Sequence, residues 1–527
     1  MRRWNREVRK TKTPMIARMD WPREQLYARI LQRDATFDGA FLVCVTTTGI
    51  YCLPSCKARK PLLENVRFLP TEREAKASGF RACRVCQPDL FYRGENRDEE
   101  LYEALLARAR PLIADIPNVP ALAELCGVGS SKLNDLFRRH AHGTPGEFLR
   151  AARIEQACEL LHATDDDVLE IGLATGFESA STFYRQFRDH VGLSPGAFRS
   201  VASVDHFALR LPANYDPRPA LLHASMDPGG TAERADVGRG VIHKAVSTSD
   251  GVLTIEIALG CEAAHCTLHG LGSLSARSRV QAHAAALRML GLSSRSAEEF
   301  EARGVREPQI RSLVGTRSGF RLPQTLTAFE ALVWGIVGQQ ISIRFAAELR
   351  RVLIMAANRP APLGLWAHPT PADVARLEVT DLVRQRYSQS KAAYVIETAR
   401  VIAEDALDLE ALGGGSAEGA QRRLTAIRGI GVWTARYTLL RGARFADFAP
   451  VGDSGLAAGL QRIYGLQRRP SVQEAERLML PFSPHRSIAT AHMWAMIHDP
   501  FERAIPPPTT KGTVEEEAGE EPRTAHA

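Results

Sequence analysis

Four of the nine cysteines stand in two close pairs, Cys52-x3-Cys56 and Cys83-x2-Cys86, with 26 residues between the pairs. Two clips of two thiolates suit a tetrahedral zinc ion. The other five, Cys44, Cys126, Cys158, Cys261 and Cys266, are scattered singly. The amino terminus is basic and lacks the apolar stretch of a secretory signal, and no apolar run reaches the roughly 18–20 residues of a membrane helix. A cytoplasmic chain is therefore expected, where paired cysteines favour metal over disulfide. Spacing alone leaves two roles open, a zinc-ribbon-like staple or a reactive centre.

A second constraint is an internal repeat at a spacing of 50 residues, FRRHAHGTPGEF at 137–148 and FRDHVGLSPGAF at 187–198. Phe137, Arg138, His140, Pro145, Gly146 and Phe148 recur in register. Before each copy lies a short helical segment, a glycine-containing turn and a second helical segment, so the chain carries a helix-turn-helix twice. Phe137, Phe183 and Phe187 are read as core, and the exposed faces of Ser130–His140 and Ser179–His190 as candidate reading surfaces. Lys132, Asn134, Arg138 and Arg185 carry suitable donors there.

With 527 residues, three or four folded units are expected. Residues 1–19 and 505–527 read as disordered ends, the latter turning acidic at EEEAGEE. Between them the expected divisions are 20–92, 99–200, 205–300 and 301–504. Strand-like segments such as VLTIEIAL place a small α+β unit third, and helical periodicity, as in AFEALVWGIVGQQIS, dominates the fourth. The fold class is multidomain and mainly α. A net charge of +7 is compatible with a polyanionic partner and does not establish one.

FDGAFLVCVTTTGIYCLPSCKARKPLLENVRF followed by GFRACRVCQPD closely resembles the amino-terminal domain of the alkylation-response regulator Ada, over about residues 20–92. The resemblance implies that Cys52 accepts a methyl group from a DNA methylphosphotriester, with Cys52, Cys56, Cys83 and Cys86 as zinc ligands. It also implies DNA backbone contacts from Thr48, Arg59 and Arg81. The family's arginine after its first cysteine is Leu53 here, so one basic contribution is missing. Residues 99–200 resemble the DNA-binding domain of AraC-type activators, which implies promoter DNA, and RNA polymerase, as partners. The two second helices would enter adjacent major grooves roughly 34 Å apart.

The segment LTAIRGIGVWTARYTLLRG at 424–442 has the form of a helix-hairpin-helix. Gly429 and Gly431 would let backbone amides approach a DNA phosphate without side-chain interference. A GxG between helices is weak by itself, but Asp453 follows 22 residues after Gly431, in APVGDSGLAAGL. With GQQIS upstream and HRSIATAHMWA downstream, residues 205–500 resemble the 3-methyladenine-DNA glycosylase II family, AlkA. The resemblance makes Asp453 the catalytic aspartate, although beside Gly452 the same residue reads as a helix cap. Related glycosylases that form a Schiff base carry a lysine where Trp433 stands, so a monofunctional enzyme is expected.

Trp433 and Tyr437 share a helix face and, with Trp494, would wall a flat base flipped from the duplex. Gln340 and Ile341 fall where the family inserts an apolar wedge, and the hairpin implies a monovalent cation. No PCHR motif occurs, so direct reversal of O6-methylguanine is not expected. Two other readings stay open: a transcription activator whose glycosylase half is an inert DNA clamp, and a glycosylase with a zinc-stabilised targeting module.

Overall fold

A computed structural model describes residues 22–33, 37–93, 97–294, 296–315 and 317–498. The two ends expected to be disordered lie outside them. In the cysteine-bearing module, β1 (Leu42–Val45) is central, in the order β3 (Val66–Leu69), β1, β2 (Ile50–Cys52), β4 (Arg81–Ala82). Alternate side chains of a strand point to opposite faces, and here both faces are covered. Leu42 and Cys44 pack with Tyr51, Ala75 and Phe80, while Val43 packs with Ile30, Phe41 and Val66. The first group lies under the helix Glu72–Ala77, capped by the Thr71 hydroxyl, and the second under the helix Arg23–Leu31.

Seven helices follow, from Arg97–Ala109 to Pro195–Val201. The repeated TPG/SPG element does the same work twice: Thr144 and Ser194 cap helices whose first residue is Pro145 or Pro195. The second helices of the two units, the candidate reading helices, occupy Ser130–His140 and Ala180–Val191, the latter capped by Ser179. Phe137, Phe183 and Phe187 are fully buried, as expected.

The next unit is an antiparallel sheet in the order β5 (His206–Arg210), β9 (Ala263–Gly270), β8 (Gly251–Leu259), β7 (Val241–Thr248), β6 (Glu233–Asp236). Leu253, Ile255 and Ile257 of β8 point inward toward the helix Ala276–Met289. The expected division near residue 205 does not separate two cores. One apolar cluster runs from Ile154 through Phe187 and Phe198 to Phe207, Ile255 and Leu290. His283 lies between Phe198 and Phe207, its ring centroids 5.1 and 5.5 Å from theirs, with Nε2 2.9 Å from the Val191 carbonyl oxygen.

Helices from Ser296–Gly304 to Arg486–His498 build the remainder around two cores, one centred on Leu332, Ile396 and Leu439 and the other on Phe300, Leu460 and Met493. A buried quartet of charges fastens this part to the sheet. Lys244 donates to Glu233 at 2.6 Å and Glu330 at 2.7 Å, and Arg350 reaches the same two carboxylates at 2.5 and 2.7 Å. Two acids against two bases leave no net charge to be desolvated unpaired. No described helix is long and apolar enough to cross a membrane.

Candidate active sites: a thiolate cluster and an indole-bound aspartate

The Sγ atoms of Cys52, Cys56, Cys83 and Cys86 all lie within 4.8 Å of one another, with Cys56 and Cys83 4.0 Å apart. Zinc–sulfur bonds of about 2.3 Å in a tetrahedron require sulfurs roughly 3.8 Å apart, so the donors fit the ion. The Leu53 and Val85 amides point at Cys86 and Cys83 sulfurs at 3.4 Å, donors that suit ionised thiolates. Cys52 ends β2, and the loop behind it is pinned by Asp38, which accepts from the Ser55 amide and hydroxyl at 3.0 and 2.5 Å. Cys56 and Cys83 are buried while Cys52 and Cys86 keep partial access to solvent. Thr48, Arg59 and Arg81 are exposed, and Arg81 pairs with Ile50 on the strand that ends in Cys52. Leu53 is buried, so its side chain takes no part in a surface.

The second site is assembled from three helices. Asp453 caps Ser454–Tyr464, accepting from the Leu456 amide at 2.8 Å. Its other contacts are two indoles: Trp494 Nε1 donates to Oδ1 at 2.8 Å and Trp433 Nε1 to Oδ2 at 3.3 Å. The residue is thus a helix cap, as its place beside Gly452 suggests, and its carboxylate is held in one orientation while partly open to solvent. Trp433 stacks on Tyr437 at 5.6 Å and 20°, and Tyr437 meets Trp494 at 6.0 Å, so the structure brings the three rings together. Burial raises the Tyr437 phenol above its ordinary pKa, keeping it neutral. The indole donations to Asp453 went unanticipated: Trp433 and Trp494 were legible as ring surfaces, and nothing in their spacing shows where an N–H points.

At the hairpin, Gly431 has open space around it and starts the helix Val432–Arg441, as an approach to phosphate requires. Gly429 meets a further requirement beside the expected one. Its φ is +87°, and a Cβ there would run into the Tyr394 ring, so glycine is needed for the turn and for packing. The helix anticipated through GQQIS ends at Val337, and Gln340 takes a positive φ of 58° in an exposed turn next to the half-exposed Ile341. Gln339 was missed: its Nε2 donates to the Gly429 carbonyl oxygen at 3.1 Å and to Thr434 Oγ1 at 3.0 Å, tying this turn to the hairpin.

Of the candidate reading residues, Arg138 and Arg185 are exposed. Two others are engaged locally. Lys132 donates to Asp98 at 2.7 Å, and Asn134 Nδ2 to the Ser130 carbonyl oxygen at 2.9 Å within its own helix.

Residues 25–89 match the family described as the metal binding domain of Ada, residues 122–200 a helix-turn-helix domain, and residues 333–484 the HhH-GPD superfamily of base excision DNA repair proteins. A probable bifunctional transcriptional activator/DNA repair enzyme AlkA of Mycobacterium tuberculosis is 30% identical over 511 residues, 92% of this chain and 98% of that one. The chain belongs to this family of bifunctional activator–repair proteins. The bifunctional transcriptional activator/DNA repair enzyme Ada of Escherichia coli is 34% identical over 178 residues, which is 33% of this chain and 49% of that one. Among solved structures, a 3-methyladenine DNA-glycosylase from Archaeoglobus fulgidus aligns with a TM-score of 0.47 and 20% identity, covering 55% of this chain and 97% of that chain. All three resemblances read from the motifs are borne out. In this activator–repair protein the helix-hairpin-helix half is a DNA glycosylase, the amino-terminal module is a zinc module, and DNA is the partner of both the glycosylase and the helix-turn-helix domain.

Proposed function

We propose that the glycosylase half excises N-alkylated bases such as 3-methyladenine by hydrolysis, with Asp453 as the catalytic carboxylate. The supporting observation is the double indole grip, which fixes both oxygens of Asp453 beside an aromatic wall. A base alkylated on a ring nitrogen is cationic, and an indole face favours a cation by about 0.5–2 kcal/mol. The flipped base lies against Trp433, Tyr437 and Trp494. As the C1′–N bond breaks, the bonding pair leaves with the base and neutralises it. Positive charge passes to the sugar, where the negative Asp453 stabilises it, and water adds at C1′ with loss of a proton. Trp433 replaces the Schiff-base lysine, so the strand is left uncut. Gln340 and Ile341 fill the gap in the stack, and the Gly429–Gly431 turn holds the phosphate backbone. A monovalent cation there would take backbone carbonyls as ligands, since residues 426–431 offer no side-chain oxygen.

At the other end Cys52, one of the two accessible sulfurs, accepts methyl from a methylphosphotriester, with Thr48, Arg59 and Arg81 against the backbone. Zinc bound by the four cysteines keeps the thiolates ionised at neutral pH. The Cys52 sulfur pair forms a bond to the methyl carbon, the C–O bond breaks, and the triester becomes a diester. The cluster's formal charge goes from about −2 to −1, weakening its repulsion of DNA. The double helix-turn-helix then engages promoter DNA and RNA polymerase through the faces carrying Arg138 and Arg185, in a cytoplasmic setting.

The decisive test is release of free base from a duplex containing N-methylated purines. Wild type should release it and Asp453→Asn should not; equal release by both would sink the assignment. An inert clamp would release none. Mass spectrometry after exposure to methylphosphotriester DNA should find one methyl group on Cys52, and a methyl elsewhere would overturn that role.

A further inference from the structure

The first helix-turn-helix unit rests against Ala417–Thr425, the first helix of the helix-hairpin-helix. Arg139 Nε donates to Glu418 at 2.9 Å, His140 Nδ1 lies 3.1 Å from the Ser416 hydroxyl, and the Ser416 amide donates to Glu103 at 2.7 Å. Arg422 pairs with Glu99, and Arg110 donates to the Gly414 carbonyl oxygen at 2.9 Å. His142 reaches furthest. Its ring sits against Phe445 and Phe448, at 5.4 and 4.9 Å, and its Nδ1 accepts from the Asp447 amide at 3.2 Å.

The internal repeat shows that this contact is particular to the first copy. His142 holds a positive φ of 59°, and the corresponding residue of the second copy is Gly192, at 73°. A left-handed conformation is unfavourable for a non-glycine residue, and here the histidine adopting it is the one seated between two phenylalanines of the glycosylase. Arg139, which pairs with Glu418, corresponds to Asp189. The two copies therefore diverge at Arg139 and His142, two of the residues that make the contact, while His140 recurs as His190. The second unit faces its own neighbour through Gly192, packed on Leu209 and Leu287, and leaves Tyr184, Arg185 and Arg188 exposed.

The docked face matters because Lys132, Arg138 and Arg139 line a cleft of about 720 Å³ together with Glu418, Arg422 and Arg436. A reading helix in a major groove about 12 Å wide has sugar–phosphate walls on both sides, and Glu418 and Arg422 of the helix Ala417–Thr425 line the same cleft as Arg138. We propose that Ala417–Thr425 is a docking surface for the first helix-turn-helix unit, and that duplex DNA reaches the Ser130–His140 face only when this contact opens. The docked arrangement and two-unit reading of DNA are then alternative states of one chain. The inference rests on Ser130–His140 being a reading helix, as proposed above.

The test is hydrogen exchange on the full-length zinc-loaded protein, alone and saturated with an undamaged duplex. In the free wild type, amides of Arg97–Ala109 should be protected, and duplex should protect Ser130–His140 while releasing Arg97–Ala109. His142→Gly, which changes no charge, should release Arg97–Ala109 without DNA and tighten duplex binding about fivefold, the low end of usual coupling between sites. Glu418→Arg should also open the contact, and Arg139→Glu with Glu418→Arg should close it again. Base release from a lesion duplex should be unchanged in every variant. Duplex that protects Ser130–His140 while Arg97–Ala109 stays protected overturns the exclusion alone. If no duplex protects Ser130–His140 in any variant, the reading assignment falls and takes the exclusion with it.

Discussion

The thiolate cluster draws its donors from two clips with 26 residues between them, whereas the carboxylate site brings Asp453 together with indoles 20 and 41 residues away on other helices. Ligands of a small ion must crowd within a few ångströms, so they come in short-range pairs that spacing records. A hydrogen-bonded carboxylate needs its partners only once the helices have packed, and no spacing rule connects Trp494 to Asp453. One site is written in the chain locally and the other by tertiary structure.

This contrast can be tested where the two centres should respond differently. Asp453→Asn should show the largest effect, a loss of base release of about a thousandfold or more, the scale of removing a main electrostatic stabiliser; a single-turnover assay measures it, and zinc content should not change. Stripping zinc with a chelator should unfold residues 37–93, seen as lost protection of β1 and β2, because the ion's binding energy is folding energy in such modules. Base release should survive that treatment, and its collapse would show that the centres are not separable.

Trp494→Phe keeps a ring and removes one donor to Asp453. It should lower the rate of base release about tenfold, the scale of one hydrogen bond to a charged group. Gln339→Leu should cost less, about threefold to tenfold, with the loss concentrated in duplex affinity because the wedge turn is freed from the hairpin. The smallest effect concerns pH. Burial lowers the pKa of His223 to about 3 and those of His283 and His368 to about 4. Unfolded histidines titrate near about 6.5, so between that pH and about 4 the unfolded chain binds more protons and stability falls as pH falls. The melting temperature should drop by about 5 °C or more between pH 7 and 5, whereas zinc occupancy should be lost only as the thiolates themselves protonate.

Much of the fold could be read in the chain because its signals are local. The repeated proline-glycine elements mark helix starts at Pro145 and Pro195, and VLTIEIAL does become β8, with Leu253, Ile255 and Ile257 inward. Trp433 and Tyr437 meet as their four-residue spacing demands. What stayed hidden depended on partners remote in sequence. The helix through Ala328–Val337 stops short because Gln339 leaves it for the hairpin, and Gly429 must also clear the Tyr394 ring. Lys132 carries a donor that its place on Ser130–His140 suggests for DNA, and it is held by Asp98 on the helix Arg97–Ala109.

The continuous core from Ile154 to Leu290 carries a corollary for the chain's history and handling. A break near residue 204 would bare Val191, Phe198 and Val201 on one fragment and Phe207 and Leu209 on the other, adjoining apolar faces of the kind that drive aggregation. The regulator and the repair enzyme therefore cannot be parted by a single proteolytic nick or a premature stop and both remain sound. They are made, damaged and degraded as one unit, and a cell that keeps the activator keeps the glycosylase in equal number.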